Sequence, residues 1–390
     1  MGSCTSSGKD PVEKIVVVGP HSPSHLGLSE HTAITARLFA ASGKAEVIVL
    51  AERSDEVKNE IRPNLKIDRV WKYNSILNVF VILWAIKKYQ PRAVWFNLIY
   101  SVFGNRRVSA FLGLLIPQFC RLLGFPTYIY LHHTHHFMDL GHSRFNKKRR
   151  LDLLAYELVL RSLLSANEVY VPLDQFKEFL SKRYGLKNIK TVALDFSPSS
   201  LKRTQLDSTR LLAFGRFGGY KPLTLAFDIF REVIKEKAEV QLIIAGEDHP
   251  GFPGHVKNCL EELEPEFRTK VHYLGYIPDE QLEEVFTSCG LLLMPYLSST
   301  GVSGVAHLGA SFGLPIICPN LPDFVAMARE ESIAIQFYEA GNINSASRKI
   351  VDLLKNPEEM KRHADHNYQV AQRKSVQAGN NVMLERMLCV

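Results

Sequence analysis

Two glycine-containing segments of this chain carry residue types that bind a diphosphate. GRFGGYKP follows an apolar strand predicted at 211–214 and holds Arg216 and Lys221 on a turn without bulky side chains, where two cations can neutralise a diphosphate as its bond to a leaving group breaks. SSTGVSG, at 298–304, leads into a helix predicted from Val305. Backbone N–H groups at a helix start lie at the positive end of the macrodipole and attract anions. Together the segments predict a nucleotide-diphosphate site.

Each segment alone also has a simpler interpretation. Arg and Lys side chains in a turn are mostly solvated. SSTGVSG also fits an ordinary strand-to-helix turn in which Ser and Thr cap the helix. The prediction of a nucleotide site therefore depends on the two segments acting together.

A histidine cluster, HHTHH at 132–136, follows a strand predicted at 127–131. Ligands of doubly wound folds bind at the carboxyl ends of parallel strands, so the cluster predicts a polar active-site role for at least one histidine. Metal binding is disfavoured because neighbouring side chains of an extended segment point in opposite directions. Solvated or structural histidines are the remaining alternative.

The elements that must position these segments alternate between apolar strands and helices. KIVVVG, at 14–19, is a continuous β-branched run typical of a parallel strand with both faces covered. This alternation and the length of 390 residues predict an α/β protein with two Rossmann-like domains, whose parallel sheets face each other across a ligand-binding cleft. The predicted parts are a flexible tail at 1–13, an amino-terminal domain at 14–195, a linker at 196–208, a carboxy-terminal domain at 209–372 and a helix at 373–390 that crosses back to the first domain.

Charge, cysteine usage and the absence of one motif disfavour several classes of function. The net charge of +7 favours anionic partners, but the chain lacks the interleaved basic and aromatic residues of a nucleic-acid-binding protein. The absence of GxGxxG after the first strand disfavours a dinucleotide and hydride transfer. The six cysteines include no CxxC pair, which disfavours a zinc site and a disulfide framework and favours a reducing compartment.

The sequence predicts a cytoplasmic protein, with peripheral association with a membrane as an alternative. No signal peptide is visible, and the longest apolar runs are too short or too interrupted to span a bilayer. Gly2 and Cys4 fit a two-chain acylation pattern in a eukaryote, with a plain flexible tail as the alternative. The basic run RFNKKRR at 144–150, near apolar helices, suits an anionic membrane, although such a run is usually a solvated helix start.

Four ordered stretches within residues 210–372 resemble the GT-B retaining glycosyltransferases of family 4. They are FGRFGGYKPLTLAFDIF, LIIAGE, VHYLGYIPDEQLEEVFTSCG with the LLLMPY that follows, and GASFGLPII. The resemblance implies a GT-B fold and a hexosyltransferase that moves a sugar from a nucleotide-diphosphate sugar to a glycan or lipid-linked acceptor. It implies no metal and no cofactor besides the donor, since the leaving phosphate itself deprotonates the acceptor. A catalytically silent homologue that binds or scaffolds is the alternative, and sugar-nucleotide epimerisation or phosphorolysis is a third reading.

The resemblance also assigns roles to residues. Arg216 and Lys221 bind the donor's diphosphate, His133 contacts the transferred sugar, and Gly27 lies under the phosphates, where the family often has a second glycine but this chain has Leu28. These three, His133, Arg216 and Lys221, form the predicted catalytic set. The remaining predicted donor contacts are Gly215 beside Arg216, then Tyr276 and Ile277 near the base, and Ser299, Thr300, Gly301, Val302, Ser303, Gly304 and His307 near the pyrophosphate.

One departure from the family concerns the donor sugar. The family has two glutamates eight positions apart in this region, one for the sugar hydroxyls and one for the ribose. Here no carboxylate stands between Met294 and Asn320, and the corresponding positions hold Thr300 and Leu308, or Ser299 and His307, depending on the end from which they are counted. The identity of the donor is therefore open, and the departure favours the silent homologue.

Overall fold

The computed structural model describes residues 13–22, 24, 28–54, 57, 59–132, 150–194, 205–299, 301–374 and 377–389, without the side chains of 150–152 and 377–380. The chain divides into two compact units. Unit 1 contains the described residues up to His132, those from 150 to Val192, and the segment from Gln377. Unit 2 contains the described residues between Ala193 and Lys374.

Unit 1 is built on an eight-stranded sheet in its described part, with strand order β3-β4-β2-β1-β5-β6-β7-β8. All pairs are parallel except β3 with β4, which is antiparallel at one edge. The elements are β1 (Glu13–Val18), α1 (Ser29–Ala41), β2 (Ala45–Glu52), β3 (Glu60–Arg62), β4 (Leu65–Trp71), α2 (Asn78–Tyr89), β5 (Ala93–Leu98), α3 (Arg107–Leu114), α4 (Ile116–Leu122), β6 (Thr127–Leu131), α5 (Arg150–Leu164), β7 (Glu168–Val171), α6 (Asp174–Tyr184) and β8 (Ile189–Thr191).

The central strands of unit 1 are buried along their length. Every residue of β5 and β6 is buried, as helices on both faces of a parallel sheet require. The strand order reverses between β1 and β5, which is where open α/β sheets bind ligands. The stretch 107–122 forms two helices rather than one, and Pro117 lies in the first turn of α4, where its missing N–H is tolerated.

Unit 2 has the order of a doubly wound nucleotide-binding sheet. Its six described strands are all parallel in the order β11-β10-β9-β12-β13-β14, and the order reverses between β9 and β12. The elements are β9 (Arg210–Phe217), α7 (Leu223–Glu236), β10 (Gln241–Asp248), α8 (His255–Glu261), α9 (Pro265–Arg268), β11 (Val271–Gly275), α10 (Asp279–Thr287), β12 (Leu291–Leu293), α11 (Gly304–Ser311), β13 (Ile316–Pro319), α12 (Pro322–Glu331), β14 (Ile335–Tyr338), α13 (Ile343–Leu354) and α14 (Pro357–Arg373).

The chain ends in a helix of unit 1, α15 (Gln377–Leu388), which contacts α1. Tyr128 Oη donates to the carbonyl oxygen of Arg386 at 3.1 Å, and the Arg386 guanidinium lies 2.6 Å from Glu168. The carboxy-terminal helix is thus fastened to the β6 and β7 strands of the first sheet. Among the described helices, none combines the length and apolar character that crossing a bilayer requires.

The position of α11 depends on a glycine that faces the sheet. A Cβ at Gly309 would lie 2.6 Å from Cδ2 of Leu292 on β12 and 3.3 Å from Cδ1 of Ile316 on β13. We expect Gly309→Ala to lower the free energy of unfolding by about 1 kcal/mol, because overpacking outweighs the gain in helix propensity. Chemical denaturation measures this change. Gly304→Ala is the matched control, since a Cβ there meets open space, and a loss of stability in the control would contradict the packing argument.

Candidate functional site

Two strands of unit 2 approach closely at their carboxyl ends. Gly215 on β9 lies in register with Gly246 on β10, and their φ angles are 117° and 133°, which favour glycine. A Cβ at Gly246 would lie 1.9 Å from the carbonyl oxygen of Gly215. Beyond β9 the chain reverses, with the N–H of Gly218 donating to the Lys221 carbonyl at 2.8 Å and the N–H of Lys221 donating back at 3.1 Å. This reversal brings Lys221 back to the end of the strand.

Lys221 lies inside the unit. Its side chain is 2% exposed, and Nζ donates to the carbonyl oxygen of Phe214 and to Tyr296 Oη, the latter at 3.3 Å. The ammonium also lies 4.7 Å from the Tyr296 ring centroid and 5.3 Å from that of Phe217. Burial lowers the pKa of Lys221 to about 7. The group therefore changes charge near neutral pH, and a bound anion would favour its protonated form.

Arg216 differs from Lys221 in its surroundings. Its side chain is about a quarter exposed, and Nη2 lies 3.5 Å from Oε1 of Glu247, the residue in register on β10. A partly solvated pair of this length is weak. Arg216 can therefore leave Glu247 for an incoming phosphate.

The start of α11 lies beside the glycine-rich strand end. A Cβ at Gly215 would lie 2.8 Å from Nζ of Lys221 and 3.4 Å from Cγ2 of Val305, in the first turn of α11. Ser303 caps the helix by accepting from the Ala306 N–H, and its side chain also hydrogen-bonds to Tyr296, the partner of Lys221. Gly304, the first residue of the helix, is exposed. The structure thus brings the two glycine-containing segments together, as the sequence analysis required.

The loop before α11 is held by a carboxylate that the sequence analysis did not consider. Oδ2 of Asp323 accepts from Ser299 Oγ at 2.9 Å and from the Gly301 N–H at 3.0 Å. Asp323 is 1% exposed, and burial raises the pKa of its carboxyl. Ser299 and Gly301 were expected to donate to a pyrophosphate, but in this structure their hydrogen bonds go to Asp323. They position the loop.

The side chain of His307 is likewise buried inside unit 2. It is 3% exposed, Nδ1 donates to the Ser303 carbonyl at 2.7 Å, and Nε2 lies 2.6 Å from Oε2 of the buried Glu331. Because both ring nitrogens face groups of unit 2, His307 joins α11 to α12 in this structure, and its predicted contact with the donor stays a prediction. The family resemblance named His307 by its position after SSTGVSG, and that position did not show which face of α11 is buried.

The remaining predicted site residues differ in their exposure, and some lie outside the described residues. Tyr276 and Ile277 follow the edge strand β11, two strands from β9, with Tyr276 exposed and Ile277 buried. Val302 is partly buried. Gly27, His133 and Thr300 lie outside the described residues, so their predicted roles stay predictions.

In unit 1 a buried polar chain lies where the strand order reverses. His132 Nε2 donates to Asn97 Oδ1 at 2.6 Å, Asn97 Nδ2 donates to Thr32 Oγ1 at 2.8 Å, and Thr32 Oγ1 donates to the Leu28 carbonyl at 3.0 Å. The His31 ring meets that of His132 edge-on at 4.6 Å, and burial lowers the pKa of His31 to about 4. The HHTHH pattern was the visible signal for His132, but its partners are distant in sequence and could not be predicted. Among the described residues, no three His, Cys, Asp or Glu side chains are placed to share a metal ion.

Comparison with known proteins gives one family match and several matching structures. Residues 208–356 match the family model described as Glycosyl transferases group 1. Sucrose-phosphate synthase (tll1590) from Thermosynechococcus elongatus is similar with a TM-score of 0.75 at 15% identity, covering 97% of this chain and 99% of that chain. Anabaena Alr3699/HepE, solved with UDP-glucose, is similar with a TM-score of 0.68 at 12% identity, with coverage of 96% and 99%. WaaG, a glycosyltransferase involved in lipopolysaccharide biosynthesis, gives 0.67 at 12% identity, with coverage of 96% and 99%.

No curated protein matches the chain in sequence. At these identities the solved structures establish the fold, so the prediction of a GT-B protein with two Rossmann-like parallel-sheet units is confirmed. The resemblance to glycosyltransferases is confirmed by the family match over 208–356.

Proposed function

Because residues 208–356 match a glycosyltransferase family within a GT-B fold, we propose that the protein is an active, retaining glycosyltransferase. It moves a sugar from a nucleotide-diphosphate sugar, bound by unit 2, to a glycan or lipid-linked acceptor. The observation that carries the proposal is the meeting of Lys221, Gly215 and the start of α11 at the point where the strand order of unit 2 reverses. That edge of an open α/β sheet is where nucleotides bind.

The proposed chemistry needs no metal ion. As the bond between sugar and diphosphate breaks, negative charge develops on the leaving phosphate. Arg216 and Gly215 lie near the carboxyl end of β9, and Gly215 lies beside Lys221 and the start of α11. We propose that the ammonium of Lys221, the guanidinium of Arg216 and the N–H groups at the start of α11 together stabilise that charge. The departing phosphate then accepts the acceptor's proton, which is how we account for transfer without a carboxylate base between Met294 and Asn320. Activity that survives EDTA would support this part of the proposal.

A donor panel tests the proposal directly. UDP-glucose is bound by one structural relative, so UDP-sugars are the first candidates, with GDP- and ADP-sugars beside them. A ligand that binds only the folded protein raises the melting temperature, and at 100 times its Kd the added stability is about 2.7 kcal/mol. We expect one base to stabilise wild type and not Arg216→Ala. If no sugar nucleotide of the three bases raised the melting temperature, the proposal would be contradicted.

We expect donor binding to take up a proton at about pH 8. Burial lowers the pKa of Lys221 to about 7. At pH 8 most of the donor-free protein therefore holds Lys221 as a neutral amine. A bound diphosphate favours the ammonium, and affinity should therefore fall as pH rises above 7. Calorimetric titration of UDP in buffers of different ionisation enthalpy measures the uptake. Lys221→Met should abolish it, and wild-type binding without proton uptake would contradict the assignment.

A catalytically silent binding protein is the second candidate, and one observation favours it. The Asp323 carboxylate already engages Ser299 and Gly301, so two groups expected to contact the donor are occupied. Donor hydrolysis separates the candidates, because an active enzyme releases sugar slowly to water whereas a silent homologue binds the nucleotide and releases none.

A further inference from the structure

One face of unit 1 exposes large apolar side chains on four neighbouring helices, α2, α3, α4 and α5. The most exposed are Phe80 at 71%, Trp84 at 65%, Val108 at 62%, Leu122 at 71% and Leu154 at 65%. α2 contacts α3 and α4, and α5 contacts the same two helices, so the four helices that carry these side chains are neighbours in one group. We call this face of unit 1 the α2–α5 face. Apolar groups gathered in one patch mark an interaction site, whereas single exposed apolar residues are ordinary.

Positive charge predominates around this face, and the acidic residues of its four helices, Asp152 and Glu157, both lie on α5. Residues 69–138 of the sequence contain eight Lys and Arg and no Asp or Glu. Among them Lys87 and Lys88 end α2, Arg106 and Arg107 begin α3, and Arg121 lies on α4, all of them exposed. A surface that combines apolar side chains with an excess of positive charge is complementary to an apolar partner that carries negative charge at its boundary.

Aromatic and basic side chains also lie together on the exposed side of α2. Nζ of Lys88 is 5.5 Å from the ring centroid of Trp84. Tryptophan favours the level of lipid headgroups, where its ring meets the acyl chains and its N–H meets water, and a lysine beside it can reach the phosphates. Trp, Phe and Leu on one side of a helix with Lys at its margin are typical of helices that lie in the membrane interface.

We propose that the α2–α5 face docks unit 1 on an anionic lipid bilayer. Phe80, Trp84, Leu122 and Leu154 enter the boundary between headgroups and acyl chains, and the basic side chains contact lipid phosphates. Every residue that carries this inference lies in unit 1. It is therefore independent of the donor site, and its failure would leave the proposed activity untouched.

The tryptophans of the chain provide a built-in measurement. Of the three, Trp71 and Trp95 are 1% and 0% exposed, so a change in Trp84 dominates any fluorescence response to vesicles. We expect vesicles of phosphatidylcholine with phosphatidylglycerol to shift the emission of the full chain to shorter wavelength, and brominated acyl chains to quench it. Pure phosphatidylcholine vesicles should do neither. Binding should weaken about tenfold or more when salt is raised to about 0.5 M, because the phosphate contacts are screened.

Two pairs of substitutions separate the apolar and the electrostatic parts. Co-sedimentation with the anionic vesicles should fall about tenfold or more for Phe80→Ser with Trp84→Ser, and likewise for Lys87→Gln with Lys88→Gln. The matched controls are Ile61→Ser, an 81% exposed apolar side chain on β3, and Lys361→Gln, an exposed lysine on α14. They should bind as wild type does. All the changed side chains are exposed, so melting temperatures should stay within about 2 °C of wild type.

Three results would overturn the proposal. The first is that the wild-type chain fails to bind anionic vesicles. The second is that neither pair of substitutions weakens binding more than the controls do. The third is a concentration-dependent dimer in sedimentation velocity that is lost in Phe80→Ser with Trp84→Ser, because the face would then belong to a second copy of the chain.

Discussion

Lys221→Met is expected to lower donor turnover about 10²-fold or more while leaving the folded protein as stable as wild type or more stable. The activity falls because methionine offers no charge to the departing diphosphate. Stability behaves differently because the wild-type ammonium is 2% exposed, and removing it from water disfavours the folded state. Replacing a buried charge by an apolar side chain of similar size is often neutral or stabilising.

The stability gain should depend on pH in a defined direction. The pKa of Lys221 is lowered from 10.5 to about 7 by burial, so below pH 7 the ammonium is present in both states and its full desolvation penalty acts on the folded protein. Between pH 7 and 10.5 only the unfolded chain holds the proton, and wild-type stability rises with pH. The advantage of Lys221→Met should therefore be largest at or below pH 7 and shrink towards pH 10.5. Part of the advantage is offset because the Phe214 carbonyl loses its ammonium donor.

Lys257→Met is the matched control for this substitution. Lys257 lies on α8 of the same unit with 76% of its side chain exposed, so its loss should change neither turnover nor the pH dependence of stability. Turnover of Lys221→Met at the wild-type level would exclude Lys221 from the site. A large loss of stability in that variant would instead show that the buried amine has a structural role.

The core of each sheet was predictable from the sequence, whereas its edge was not. Residues 15–18 of β1 and all of β6 are continuous buried runs, and a parallel sheet covered on both faces requires such runs. The edge hairpin of β3 and β4 was not predicted, although Leu65, Ile67 and Trp71 alternate with less buried residues along β4. Arg69 interrupts the alternation of apolar and polar residues, because a charged residue stands at a buried position of β4. It is 8% exposed and donates to the carbonyl oxygens of Ser22 and Glu52.

The candidate site was predictable as a pair of segments but not as a set of contacts. The glycines and Ser303 follow local rules for close backbone approach and helix capping, and these can be read from neighbouring residues. The burial of Lys221 and the pairs of Ser299 with Asp323 and His307 with Glu331 join residues that are far apart in the sequence. No local pattern marks either carboxylate as part of the loop. The family resemblance therefore assigned Ser299 and His307 to the donor, whereas in this structure their partners lie inside unit 2.

Asp323→Ala is expected to destabilise unit 2 by about 2–4 kcal/mol and to lower donor turnover about tenfold or more. The reason is that Ser299 Oγ and the Gly301 N–H both donate to the Asp323 carboxylate, and both would be left inside the protein without their acceptor. The loop also leads directly into α11, so its displacement would move the N–H groups proposed to stabilise the diphosphate. Thermal unfolding measures the first effect, and steady-state kinetics with the donor identified by the panel measures the second.

Asp323→Asn distinguishes hydrogen bonding from charge at this position. Burial raises the pKa of Asp323 above its usual 3.8, so the ionised carboxylate is disfavoured in the folded state, and its contribution to stability falls as pH rises between 3.8 and the folded-state pKa. Asparagine keeps an acceptor oxygen for Ser299 and Gly301 without carrying this charge. We therefore expect Asp323→Asn to retain most of the wild-type stability near neutral pH, and Asp352→Ala, on the exposed side of α13, to match wild type. If Asn proved as damaging as Ala, the carboxylate charge itself would be required, and the loop would depend on an electrostatic interaction rather than on the two hydrogen bonds.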